Sequence, residues 1–260
     1  MLRLRLKIMT VVLALALAGS GIALVQAKTG VDTVPMADSL RVTPAPAPAP
    51  AAPTLEAALL AQAPALDPDV LDLALRARES AALKGLLKDR RTLTVIDYSR
   101  PSVVPRFWVF DLVARKLLFE ERVAHGRNSG DIMATRFSNA ESSLETSLGL
   151  FVTRDVYVGA HGKSLRLEGL EPGFNDRALA RAIVIHGADY VSPAAVRALG
   201  FLGRSFGCPA LSRQIAPRVI ERLRGGSPVF AFFPDAHWLA SSRFLQPSPT
   251  VATTLAVELE

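Results

Sequence analysis

The chain of 260 residues has a single cysteine, Cys208, so no internal disulfide can form. Histidine is nearly as scarce, with His125, His161, His186 and His237 the full complement. There is no HExxH helix and no close His/Cys pair, which sets aside a zinc site, since zinc needs three or four suitably spaced ligands. Ser205-Phe206-Gly207 lacks the first glycine of a nucleophile elbow, which disfavours a serine hydrolase. No internal repeat is found. Thirty Lys and Arg against 24 Asp and Glu give a charge of +6, yet the basic residues are scattered and form no stripe with interleaved aromatics. Nucleic acid is therefore disfavoured, whereas an anionic wall polymer or membrane surface would be attracted.

What is present begins with an export signal over residues 1–27. Arg3, Arg5 and Lys7 form a basic start, Ile8–Ala18 is apolar, and Val25-Gln26-Ala27 supplies small-residue cleavage chemistry. Export to the periplasm or cell envelope is the expectation. Retention as an uncleaved signal anchor is the alternative and the one route to membrane contact. No cysteine follows the apolar run, which disfavours a lipid anchor. In an oxidising compartment Cys208 must persist as a thiol or pair with another molecule.

Residues 28–54 read as a Pro/Ala-rich linker, because Pro44 to Pro50 alternates proline with alanine and cannot form helix or sheet ladders. Residues 55–90 carry helical spacing, with Asp67-Pro68 as cap and first-turn proline, and are expected to brace the domain that follows. Residues 91–236 hold a series of short apolar strands separated by glycine, proline and serine clusters. They include Leu93–Tyr98, a hairpin of Phe107–Leu112 with Lys116–Val123, and Ala182–His186. The fold class is mainly β with minor α, as two sheets or a partial barrel. Helices are expected from Ser192 to Leu199 and from Ser212 to Arg224, and residues 237–260 as a loosely ordered tail.

Cys208 sits in the polar, glycine-flanked stretch Ser205–Ala210, an unusual setting for a cysteine that serves only as a small buried hydrophobe. To act as a nucleophile it needs a base or a helix N-terminus, because a free thiol is mostly protonated at neutral pH. The expected helix after Ser212 would offer its positive end. Gly207 permits a sharp turn that exposes N–H groups to a reacting carbonyl oxygen, and Ser205 either fixes that turn or contacts substrate. His186 is the leading base, since it ends an apolar strand and is followed by Gly187. His161 precedes a glycine and could line a pocket, while His125 lies in a polar loop that could contact substrate.

The order His186-Gly187-Ala188, then Ser205-Phe206-Gly207-Cys208, resembles the HG…SxGC signature of the YkuD-type L,D-transpeptidases, here their murein L,D-transpeptidase branch. Thr146–Phe151 is similar to that family's upstream TPxGxF segment. The likeness spans roughly residues 93–235. It implies a β-sandwich-like or partial-barrel catalytic domain and ping-pong acyl transfer on peptidoglycan stem peptides, with release of D-alanine through a thioester on Cys208. It makes His186 the base, gives Gly187 a backbone role in orienting the histidine, and has the N–H groups of Gly207 and Cys208 hold the oxyanion. No metal or organic cofactor is required. Where many members have arginine soon after the cysteine, this chain has Pro209-Ala210, so substrate contacts are expected from Ser205, Arg204, His161, Arg127 and Tyr190, with Arg213 a further candidate. An L,D-carboxypeptidase hydrolysing the same bond, a catalytically silent wall-binding module and a sortase are the alternatives. The TLxTC strand and C-terminal arginine strand of a sortase are missing.

Overall fold

The structure, a computed structural model, describes residues 52–246. The expected signal, most of the linker and the last fourteen residues lie outside the described residues. Among the described residues no helix is long and apolar enough to cross a membrane.

Helices α1 (Leu55–Leu60) and α2 (Pro68–Leu83) open the chain. The Thr54 hydroxyl accepts from Ala57 N–H and the Asp67 carboxylate from Asp69 N–H, satisfying amides that the first turn leaves free. The buried face of α2 is Val70, Leu71, Ala74, Ala77, Ala81 and Ala82, and its small side chains let the helix lie close on the sheet. These residues join the same apolar cluster as Leu93, Val95 and Phe230, so the helical pair shares the main core.

Eight strands follow: β1 (Thr92–Asp97), β2 (Phe107–Asp111), β3 (Lys116–Glu121), β4 (Gly149–Gly159), β5 (Gly162–Gly169), β6 (Val184–Ala188), β7 (Ala210–Ser212) and β8 (Pro228–Phe232). They form one mixed sheet in the order β3-β2-β1-β8-β4-β5-β6-β7. The last strand in sequence thus lies in the middle, parallel to β1 and antiparallel to β4. Both faces of β1, β2, β6 and β8 are buried, which explains why these segments read as continuous apolar runs rather than alternating ones. The sheet curls until its two edges meet: just past β3, Ala124 N–H donates to Ala210 O at 2.9 Å on β7. The protein is accordingly mainly β, a nearly closed sheet with short helices.

Three short helices complete the fold: α3 (Pro193–Leu199), α4 (Ala216–Leu223) and α5 (Ala236–Ser241). Two expectations are corrected here. Ser212 does not cap a helix but ends β7, and α4 starts at Ala216 with no side-chain cap. The chain must first run beside β6, where Gly187, Ala188 and their neighbours offer a parallel edge. The tail is also firmly held as far as it is described: Asp235 caps α5, and Trp238, Phe244 and Leu245 are buried.

That tail is anchored by a buried polar knot. The Glu171 carboxylate accepts from Leu150 N–H at 2.7 Å and from Trp238 Nε1–H at 2.9 Å, while Asn175 donates to the carbonyls of Leu148 and Leu150. Burial holds the Glu171 carboxyl above its ordinary range. Gly149 passes this knot at φ +103°, and a Cβ there would lie 2.6 Å from Glu171 Oε1 and 2.9 Å from Asn175 Nδ2.

Gly149→Ala should therefore cost more than its backbone strain alone, roughly 3 kcal/mol or above. Gly162→Ala, also at positive φ but with nothing within 4 Å of the added methyl, is the control and should cost roughly 1 kcal/mol. Urea unfolding of both variants measures the difference, and equal losses would contradict the knot's role.

Candidate active site

Cys208 lies in a turn between the two edges of the sheet. Residues 205–210 run beside residues 124–127, with Ser205 N–H donating to His125 O at 3.0 Å and Arg127 N–H to Ser205 O at 2.8 Å. Inside the turn the Ser205 hydroxyl donates to Cys208 O at 2.6 Å and accepts from Gly207 N–H at 3.1 Å. Gly207 has φ +121°, and a Cβ there would meet Glu145 O at 2.8 Å. The Thr146 hydroxyl clamps the turn from outside, donating to Gly207 O at 3.2 Å and accepting from Gly126 N–H at 2.9 Å. The geometry of this turn thus draws on the motif segment Thr146–Phe151.

One open alternative is narrowed and one expectation changes in consequence. Ser205 faces the cavity but spends its hydroxyl on the turn. Gly207 spends its N–H on Ser205, so of the two amides expected to hold an oxyanion only Cys208 N–H has no protein partner among the described residues.

The thiol is half-buried. Its Sγ accepts from Val184 N–H at 3.4 Å and donates to Ala182 O at 3.8 Å. His186 stands two residues after Val184 on the same face of β6, a spacing of about 7 Å along a strand. Its Nδ1–H donates to Gly187 O at 3.1 Å, which leaves Nε2 as the free lone pair. His161, at the tip of the β4–β5 hairpin, stacks on the His186 ring with centroids 4.4 Å apart. Cys208 and His186 face one cavity of about 340 Å³ together with His161, Tyr190, Arg204 and Ser205.

Electrostatics make this a neutral pair. Burial pushes the Cys208 thiol up, and the Val184 N–H and the Arg181 guanidinium only partly oppose it. Burial also pushes His186 down, aided by His161 and Arg213 and opposed by the Gly187 carbonyl. The helix expected to follow Ser212 directly begins only at Ala216, with β7 standing between it and Cys208 in the chain.

The other expected contacts divide. Arg204 lines the cavity, paired with Asp131 and donating to Gly130 O at 3.2 Å. Tyr190 lines it too, its ring packed against Gly203 and its hydroxyl pushed up by burial. Arg127 stands at the rim, its guanidinium 5.8 Å from the centroid of Phe206, an exposed ring beside the thiol. Arg213 is tied to Asp189 by two bonds of 2.6 and 2.8 Å and does not line the cavity. Gly187 packs against Arg213 and Ala216 and contributes only its carbonyl.

His125 lies in the loop as expected but does not line the cavity. It is fully buried, with Nδ1 2.7 Å from Arg106 Nη2 and Nε2 3.2 Å from Gly130 O, so it is neutral and acts as a strut. Burial and the Arg106 charge push it down to about 4. Two pocket residues escaped the sequence reading. Tyr157 forms one wall beneath Arg166. Arg181 lies beside the thiol with four donations, to Ser138 O, Ser147 Oγ, Ser143 Oγ and Glu145 O. No motif flags either residue; their only signal is proximity in sequence to the strands that carry the site.

The family model described as L,D-transpeptidase catalytic domain matches residues 62–232. No curated protein matches the sequence. Among solved structures, an L,D-transpeptidase from Mycobacterium smegmatis is similar at 15% identity and TM-score 0.35, over 55% of this chain and 59% of that one. The L,D-transpeptidase from Xylanimonas cellulosilytica is similar at 12% and 0.34, over 64% of this chain and 94% of that one. The helical cell shape determining protein Pgp2 from Campylobacter jejuni is similar at 16% and 0.34, over 63% and 57%. The chain thus spans about three-fifths of the length of the Mycobacterium smegmatis protein.

Two pH measurements follow from the electrostatics. The rate of Cys208 alkylation by iodoacetamide should keep rising above pH 9, since the thiol ionises above its ordinary value; a plateau with a midpoint near 6 would contradict it. His125 binds its proton less readily folded than unfolded, so its contribution to stability is intact above pH 6.5 and is lost as pH falls towards about 4. Over that window wild type should lose roughly 3 kcal/mol relative to His125→Gln in urea unfolding.

Proposed function

The chain belongs to the L,D-transpeptidase catalytic domain family, and from that premise we propose that it transfers acyl groups on peptidoglycan stem peptides through a thioester on Cys208. The observation that carries this reading is the shared cavity, in which the only thiol of the chain and a neutral imidazole with a free Nε2 face the same space.

In the first half-reaction Cys208 Sγ attacks the carbonyl carbon of the third stem residue as its proton passes to His186 Nε2. Because both groups rest neutral, His186 must take the proton during attack rather than beforehand. The negative charge on the carbonyl oxygen is met by Cys208 N–H, with the Tyr190 hydroxyl, kept protonated by burial, as second donor. The bond to D-alanine breaks, His186 returns the proton to the departing amine, and the thioester remains. In the second half-reaction an acceptor amine gives its proton to His186, attacks the thioester carbon and frees the thiol. Gly187 and Gly207 act through the backbone, the first by fixing the His186 tautomer and the second by shaping the turn. Arg204 and Arg127 at the rim supply positive charge for the carboxylates of the stem, in place of the arginine that this chain lacks after its cysteine. The proposed site of action is the cell envelope, reached by export.

Incubation with a tetrapeptide stem should add the tripeptide acyl mass to the intact protein, and Cys208→Ala should abolish both adduct and turnover. His186→Gln should slow acylation by about 10²- to 10⁴-fold, with the thiol still open to alkylation. Cross-linked dimers in the presence of a stem amine identify transfer, whereas tripeptide and D-alanine alone identify hydrolysis. Persistent turnover in Cys208→Ala would overturn the proposal.

A further inference from the structure

A second concavity lies on the far side of the segment that clamps the Cys208 turn. It has a volume of about 330 Å³ and runs between Phe137, Ser138 and Asn139 on one wall and Phe174, Asp235 and His237 on the other. It continues past Asn139 into a shallower groove of about 500 Å³ bordered by Asp176 and Arg177. None of these residues takes part in the acyl transfer described above.

The chemistry of this groove differs from that of the thiol cavity. Aromatic rings form its floor and side: His237 is exposed and tilted against Phe174 at 5.3 Å, and Phe137 packs on Phe233 at 4.7 Å. Planar polar groups stand above them. The Asn139 amide is held in place, donating to Asp176 Oδ1 at 2.7 Å and accepting from Arg177 N–H at 3.1 Å. The Arg177 guanidinium has no partner among the described residues. Asp235 uses one oxygen to cap α5, at 2.7 Å from Trp238 N, and keeps the other free. Ring faces beside a few fixed donors and acceptors, with charges nearly balanced, suit a neutral polyhydroxylated ring. They do not suit the anionic peptide that the basic rim of the other cavity would attract.

The two sites share a wall one side chain thick. Arg181 lines the thiol cavity, and its Nη1 donates at 2.7 Å to the carbonyl of Ser138, which lines the groove. A stem peptide seated in the thiol cavity keeps the sugar that carries it within a few residues of chain, on the order of 10 Å, of Cys208, and the groove is the concavity that Arg181 joins to that site.

Resting on the peptidoglycan reading, we propose that this groove binds the N-acetylamino sugar strand from which the stem peptide hangs, so that the enzyme recognises glycan and peptide together across Arg181.

The test compares a disaccharide-tetrapeptide with the free tetrapeptide as acyl donor, in the full chain and in His237→Ala combined with Arg177→Gln. Wild type should favour the disaccharide form by about tenfold in kcat/KM, the factor expected when one aromatic contact and one hydrogen bond are added. The double variant should lose that preference while its kcat/KM on the free tetrapeptide stays within about twofold. Equal losses on both substrates, or no loss on either, would overturn the proposal. A separate reading does not depend on turnover: the His237 ring proton resonances of wild type should shift and saturate on titration with the disaccharide. No shift overturns the glycan groove even if the enzyme is active, whereas shifts without any Cys208 adduct overturn the acyl-transfer reading instead.

Discussion

The meeting of the sheet's two edges governs the rest of this structure. An open sheet leaves unpaired amides and carbonyls along both borders, and here the borders satisfy each other through residues 124–127 and 205–210. Because the turn that carries Cys208 is one side of this seam, Cys208 cannot be displaced without opening the sheet. The main-chain bonds of the seam therefore serve the fold and the site at once.

Between β3 and β4 the chain runs for 27 residues, 122–148, with no regular element beyond isolated bridges. A segment of that length normally signals function or disorder, and here buried polar groups take over the work of secondary structure. Arg106, with no exposure at all, donates to Val123 O and Arg100 O and meets His125. Among the described residues no carboxylate pairs with it, and burial lowers its pKa to about 10, yet its carbonyl partners and the Tyr98 ring at 5.1 Å hold it in place. Arg181 plays the same part at the other end of the segment. Two arginines fed by carbonyls thus fix the loop between which the thiol and the groove are built.

This division decides what could be read from the sequence. Strands buried on both faces leave apolar runs, so the β architecture was legible, and the short motifs at strand ends drew attention to Cys208 and His186, which line one cavity. What escaped depends on contacts distant in the chain. His125 looked like a substrate contact because its partner Arg106 lies 19 positions away in the chain. Ser212 looked like a helix cap because nothing local announces that β6 needs a parallel neighbour. The region after Asp235 looked loose because Trp238 gains its anchor from Glu171, 67 residues earlier. Arg181 stands in an unremarkable turn and acquires meaning only through the serines folded around it.

The neutrality of the thiol has a consequence for durability. Oxidation to sulfenic acid proceeds through the thiolate, and a cysteine kept protonated by burial offers little of it between encounters with substrate. A chain with one cysteine has no second thiol with which to resolve an oxidised sulfur as an internal disulfide. Under the proposed function, holding the sulfur against the Val184 amide and the Ala182 carbonyl and leaving its activation to His186 at the moment of attack would protect an irreplaceable atom in the oxidising surroundings that export implies.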